Sequence, residues 1–78
     1  MAVRAYVLIK VEAGKNKAIL EQLRNTPNVD NVDSVTGPTD LIAQVSAESA
    51  RVLADLIFTS IQTIAGVKET DTRIIISG

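Results

Sequence analysis

The sequence predicts an α+β fold of element order βαββαβ, an antiparallel sheet with two helices on one face. Three observations lead there. The hydrophobic period switches between two and about 3.6 residues along the chain, the switches fall at Gly and Pro positions, and the two halves match at a spacing of 38 residues (Val3 with Leu41).

Period two governs Val3 to Glu12. Val3, Ala5, Val7, Ile9 and Val11 form an aliphatic face, and Arg4, Tyr6, Leu8, Lys10 and Glu12 form the other. That is a strand with one face on a core. Tyr6 and Leu8 sit mid-way along the second face, where open water would not favour them. After Ala13-Gly14, residues Ala18, Ile19, Leu20 and Leu23 cluster on one side of a helix of about three turns. It stops at Asn25-Thr26-Pro27, because proline disfavours helical geometry in the residue before it. Val29, Val32 and Val35 mark a second strand, and Thr36-Gly37-Pro38-Thr39-Asp40 a turn. Leu41, Ala43, Val45 and Ala47 resume alternation in a third strand that pairs with the second as a hairpin. Ser46 is the expected cap of a second helix, with Glu48 against its positive end. Ala50, Leu53, Leu56, Ile57, Ile61 and Ile64 carry helical spacing over about four turns, and Gly66 fits the helix end. Val67 to Ser77 is the closing strand.

The internal match supports this order. Ala5 aligns with Ala43, Val7 with Val45, Ile19 with Ile57 and Val29 with Val67. Two strand–helix–strand units joined by a hairpin give the ferredoxin-like split βαβ arrangement. Right-handed crossovers put both helices on one face of the sheet. Residues 1–78 are thus read as a single domain.

Such a fold leaves the Tyr6 and Leu8 face without a covering helix. Seventy-eight residues is also close to the size at which one core barely offsets chain entropy. The usual aids are disulfides, metals or oligomerisation. With no Cys and no His, oligomerisation is the aid left. Burying about 300 Å² of apolar surface there contributes on the order of 7 kcal/mol before association costs. The expectation is a homo-oligomer, a dimer at least, with its sheets facing one another as in a dimeric α/β barrel.

Composition also narrows function. Absence of His and Cys removes the common general base, the thiol nucleophile and the usual transition-metal ligands, so neither an enzyme nor a cofactor is expected. The four glycines are isolated and build no phosphate loop. A net charge of −1, with no basic stripe, argues against direct nucleic-acid binding. No segment approaches the roughly 20 apolar residues of a membrane span, and the N-terminus has no cleavage site of the signal-peptide kind. A cytoplasmic protein is expected.

One segment, Thr36-Gly37-Pro38-Thr39-Asp40-Leu41, stands apart. As structure it is a hairpin turn with Asp40 bonded to nearby backbone. As a site, Gly37 opens N–H groups to a ligand carboxylate and Asp40 offers a fixed negative charge to an ammonium group, the two needs of a free amino acid. Both readings are open on the residues alone.

That turn, Ala5-Tyr6-Val7-Leu8-Ile9, and Ile64-Ala65-Gly66-Val67 followed by Thr70 and Thr72 resemble the effector domain of Lrp/AsnC regulators over essentially the whole chain. The resemblance implies the same βαββαβ order and a small amino-acid effector. Its binding residues would be Gly37 and Asp40 of the turn with Thr70 and Thr72 of the last strand, at contacts between dimers assembled into larger rings. Family members usually carry a helix-turn-helix domain before this module, whereas this sequence opens on the first strand. The resemblance therefore implies a stand-alone form that binds a ligand or assembles with full-length regulators. Two alternatives stay open: a ligand-free structural partner of such regulators, and an ACT-type amino-acid-binding domain, for which Gly14 after the first strand is the relevant residue.

Overall fold

The computed structural model describes residues 2–77; Met1 and Gly78, the outermost residues of the 1–78 boundary, lie outside the described residues. The chain runs β1 (Val3–Val11), α1 (Asn16–Arg24), β2 (Val29–Ser34), β3 (Leu41–Ala47), α2 (Ala50–Leu56), a π-helical turn (Ile57–Ile61) and β4 (Val67–Ile74). One sheet of order β2-β3-β1-β4 contains all four strands, each antiparallel to its neighbours. This is the ferredoxin-like α+β arrangement that the period changes predict.

The alternation in β1 and β3 sets the core. Ala5, Val7, Ile9, Leu41, Ala43 and Val45 are fully buried, and Ile19, Leu23, Leu53, Ile57 and Ile61 of the helical segments join the same cluster. Both helices therefore pack on one side of the sheet. Two small residues expected in this packing, Ala18 and Ala50, are exposed instead. In α1 only Ile19 and Leu23 are buried, with Leu20 half-covered, so the apolar stripe is narrower than the sequence cluster.

Three boundaries differ from the sequence reading. Ser46 stays in β3, where its N–H donates to the Asn28 carbonyl (3.1 Å), and Ser49 caps α2 by accepting from the Val52 N–H (3.2 Å). Cross-strand pairing of Val3 with Ala47 holds β3 extended beyond Ser46, which moves the cap along and leaves Glu48 outside the helix. The second helix does not run regularly to Ile64: at Ile57 it widens into the π turn, in which the Gln62 N–H donates to the Ile57 carbonyl (2.8 Å). Thr59 and Thr63 each donate a hydroxyl to the carbonyl four residues back (2.7 Å), and such back-bonding bends helices. Finally, β4 ends at Ile74 rather than Ser77, because its last ladder pair, with Ala5, lies near the start of β1.

Gly66 joins the π turn to β4 at φ +97, a left-handed conformation that L side chains rarely adopt. A Cβ there would lie 3.1 Å from Ile19 Cδ1 and from Lys15 Cγ, so α1 packs directly over this backbone. The Gly66 carbonyl accepts from the Glu12 N–H (2.8 Å), tying the turn to the end of β1.

The sheet face away from the helices is apolar in the middle. Leu8 pairs with Ile42, both half-buried, beside Tyr6, which is 44% exposed and pairs with Gln44. Charged rows flank it: Glu69, Asp71 and Arg73 on β4 pair with Lys10, Leu8 and Tyr6, and Asp33 on β2 pairs with Ile42.

Candidate functional site

The β2–β3 turn is built around Asp40. Its carbonyl accepts from the Val35 N–H (3.0 Å), which closes the hairpin, and its N–H donates to the Ile9 carbonyl (3.0 Å). Its Oδ2 accepts from the Val11 N–H (2.9 Å). These last two bonds fasten the turn to β1 beyond the final ladder pair, Ile9 with Leu41. Asp40 is thus both a turn residue and a side-chain rung of the sheet. Gly37, at φ +124, occupies the exposed tip, where a Cβ would meet nothing within 4 Å.

Thr70 and Thr72 lie on β4, paired with the core residues Ile9 and Val7, and so face the helix side. Thr70 Oγ1 accepts from Gln62 Nε2 (2.9 Å). Ile9 lies between Asp40 and Thr70, bonded to the first and paired with the second. Two strand spacings put their backbones roughly 10 Å apart. Within one chain, the structure brings Gly37 next to Asp40 and Thr70 next to Thr72, but it does not bring the two pairs together.

Three hollows run along β4. An apolar groove of about 200 Å³ lies between α2 and β4, walled by Leu53, Ile57, Phe58, Thr72 and Ile74. A polar hollow of about 390 Å³ is lined by Val67, Lys68, Glu69 and Thr70. Gln62 lines both. On the helix-free side, Leu8, Lys10, Thr39, Glu69, Thr70 and Asp71 surround about 130 Å³, which places the hairpin turn and β4 on one small cavity. Gln62 is the residue that sequence reasoning missed. Its one signal is position: Gln62 and Thr70 stand four residues either side of Gly66, so a tight reversal there brings them together.

Electrostatics on the open face are local. Arg73 donates two hydrogen bonds to Asp71 (3.1 and 2.9 Å), which holds the Asp71 carboxyl below the ordinary aspartate range and raises Arg73 in turn. Lys10 and Glu69 make a looser pair at 3.7 Å. Among the described residues no cluster of His, Cys, Asp or Glu could hold a metal ion, and no helix is long and apolar enough to cross a membrane.

A βαββαβ sheet with hollows along its edge strand defines a small ferredoxin-like α+β module. The model of the Lrp/AsnC ligand binding domain matches residues 4–78, and the chain belongs to that family. It is 33% identical over 73 residues to the uncharacterized HTH-type transcriptional regulator PH0140 of Pyrococcus horikoshii, covering 94% of this chain and 46% of that protein. The chain thus spans about half the length of the curated relatives it matches. Among solved structures, TTHA0845 from Thermus thermophilus superposes with a TM-score of 0.91 at 33% identity, covering 97% of this chain and 95% of that one. The complex of the transcriptional regulator NMB0573 from Neisseria meningitidis with L-Met shares the fold, with a TM-score of 0.86 at 16% identity over 96% of this chain and 50% of that one.

Proposed function

We propose that this chain is an amino-acid-binding, oligomerising regulatory module that acts without reading DNA through its own 78 residues. The observation that carries this reading is the match to the Lrp/AsnC ligand binding domain over residues 4–78. The bound L-Met of NMB0573 supports an amino acid as the effector. The ligand site combines Gly37 and Asp40 with Thr70 and Thr72. In one chain β1 lies between the two pairs, and the site is completed between copies, with the turn from one and β4 from another. Assembly then has two causes, the shared site and the apolar Tyr6, Leu8 and Ile42 face. The same assembly offers a surface for full-length regulators of the family.

A thermal-shift screen against the twenty amino acids tests the reading. A saturating effector raises Tm in proportion to RT ln(1 + [L]/Kd), about 2.7 kcal/mol at a hundredfold excess over Kd. No shift with any amino acid refutes the ligand, and leaves the alternative of a ligand-free structural partner.

A further inference from the structure

The site as proposed accounts for the ammonium and carboxylate groups of the ligand but not for its side chain. The groove between α2 and β4 has a definite chemistry to offer it. Phe58 and Ile74 stand 65% and 49% exposed at its mouth, with Leu53 and Ile57 behind them. An ionised side chain laid against that wall would lose water and gain no partner.

The adjoining hollow has the opposite character, with Lys68, Glu69 and Thr70 along its wall. Gln62 stands at the boundary, and its amide nitrogen donates to Thr70 Oγ1 (2.9 Å). That bond occupies an oxygen lone pair of the hydroxyl and leaves its proton to donate outward, as a carboxylate requires. Lys68 brings a positive charge to the same hollow.

We infer, resting on the effector site proposed above, that the ligand is an α-amino acid with an apolar side chain. Its carboxylate lies between the Gly37 N–H groups of one copy and Thr70 and Lys68 of another, its side chain enters the groove against Leu53, Ile57 and Phe58, and Gln62 is the positioning residue between them.

Calorimetric titration of the intact oligomer with L-leucine, L-methionine, glycine and L-aspartate tests this. L-leucine or L-methionine should bind at least about tenfold more tightly than glycine, the return on burying an aliphatic side chain. Phe58→Asp should remove the preference for L-leucine over glycine, and Phe58→Leu, which keeps an apolar wall, should retain most of it. Gln62→Leu should weaken L-leucine and glycine by the same factor, about tenfold, without lowering Tm. Amino-acid binding with no preference for L-leucine or L-methionine, or a preference that survives Phe58→Asp, overturns the inference and leaves the effector reading in place. Equal affinity for parent and Gln62→Leu removes Gln62 from the site. No binding of any amino acid overturns both.

Discussion

Replacing Asp40 separates its two roles. Asp40→Ala deletes the acceptor of the Val11 N–H, a part-buried 2.9 Å bond to a residue only 7% exposed. A donor left without a partner in such a place costs about 1–3 kcal/mol, and partial exposure puts the figure near the middle, about 1.5–2 kcal/mol. For a domain of this size each kcal/mol moves Tm by about 4–8 °C, so Asp40→Ala should melt roughly 6–16 °C lower. Asp40→Asn keeps a carbonyl oxygen in the same position and should lose only a small part of that. Differential scanning calorimetry of both variants, at one protein concentration because the proposed assembly would make Tm concentration-dependent, measures the difference. If Asn melts as low as Ala, the charge and not the rung holds the turn. If Ala melts with the parent, the bond contributes nothing. In titration with the proposed effector the variants should converge: Asn, though folded, lacks the anionic partner proposed for the ammonium and should lose about 1.5–3 kcal/mol of binding. Undiminished affinity in Asp40→Asn moves the ammonium site elsewhere.

Other outcomes follow from the sheet and its turns. Leu8→Asp, which puts a charge beside Ile42 on the helix-free face, should dissociate or unfold the assembly in light scattering, whereas Lys17→Asp on the exposed side of α1 should not; a stable monomeric parent refutes the sheet-to-sheet contact. Gly66→Ala should lose about 1–3 kcal/mol in urea denaturation through its left-handed backbone and the contact with Ile19, and an unaltered midpoint would contradict that crowding. The Asp71 carboxyl, followed by NMR, should titrate below the ordinary aspartate range and return towards it in Arg73→Met. Because its folded value is the depressed one, the pair's contribution is present above the unfolded aspartate pKa and is lost as pH falls through the folded value. An unmoved midpoint in Arg73→Met would mean the two hydrogen bonds do not form in solution.

The elements legible in the sequence are those whose burial is decided locally. In β1 and β3 every second residue meets the core, so alternation and structure are the same fact. Boundaries were less legible because distant partners set them. Whether Ser46 or Ser49 caps α2 depends on Val3 pairing with Ala47, and where β4 stops depends on where β1 starts. The π turn has only a faint local trace, two threonines able to bond four residues back. For the candidate site, the turn was legible as a motif, but the bond from Asp40 to Val11 spans 29 residues and has no period to betray it. Gln62 was invisible for a related reason: its partner Thr70 lies across a reversal, and polar residues after a helix ordinarily mean solvent.

The π turn behaves as one residue too many, absorbed without breaking the helical path. Each residue of an α-helix advances about 100° around the axis. Deleting one of Thr59 or Ser60 would let the segment close up as regular α-helix with the residues after it in nearly the same phase, whereas the same deletion in α1 would swing its apolar stripe by about that angle. Gln62 would keep its side of the helix facing Thr70, and the boundary between the groove and the polar hollow with it. The π turn is therefore the place in the second helical segment where chains of this fold can gain or lose a single residue while keeping their sheet and core intact.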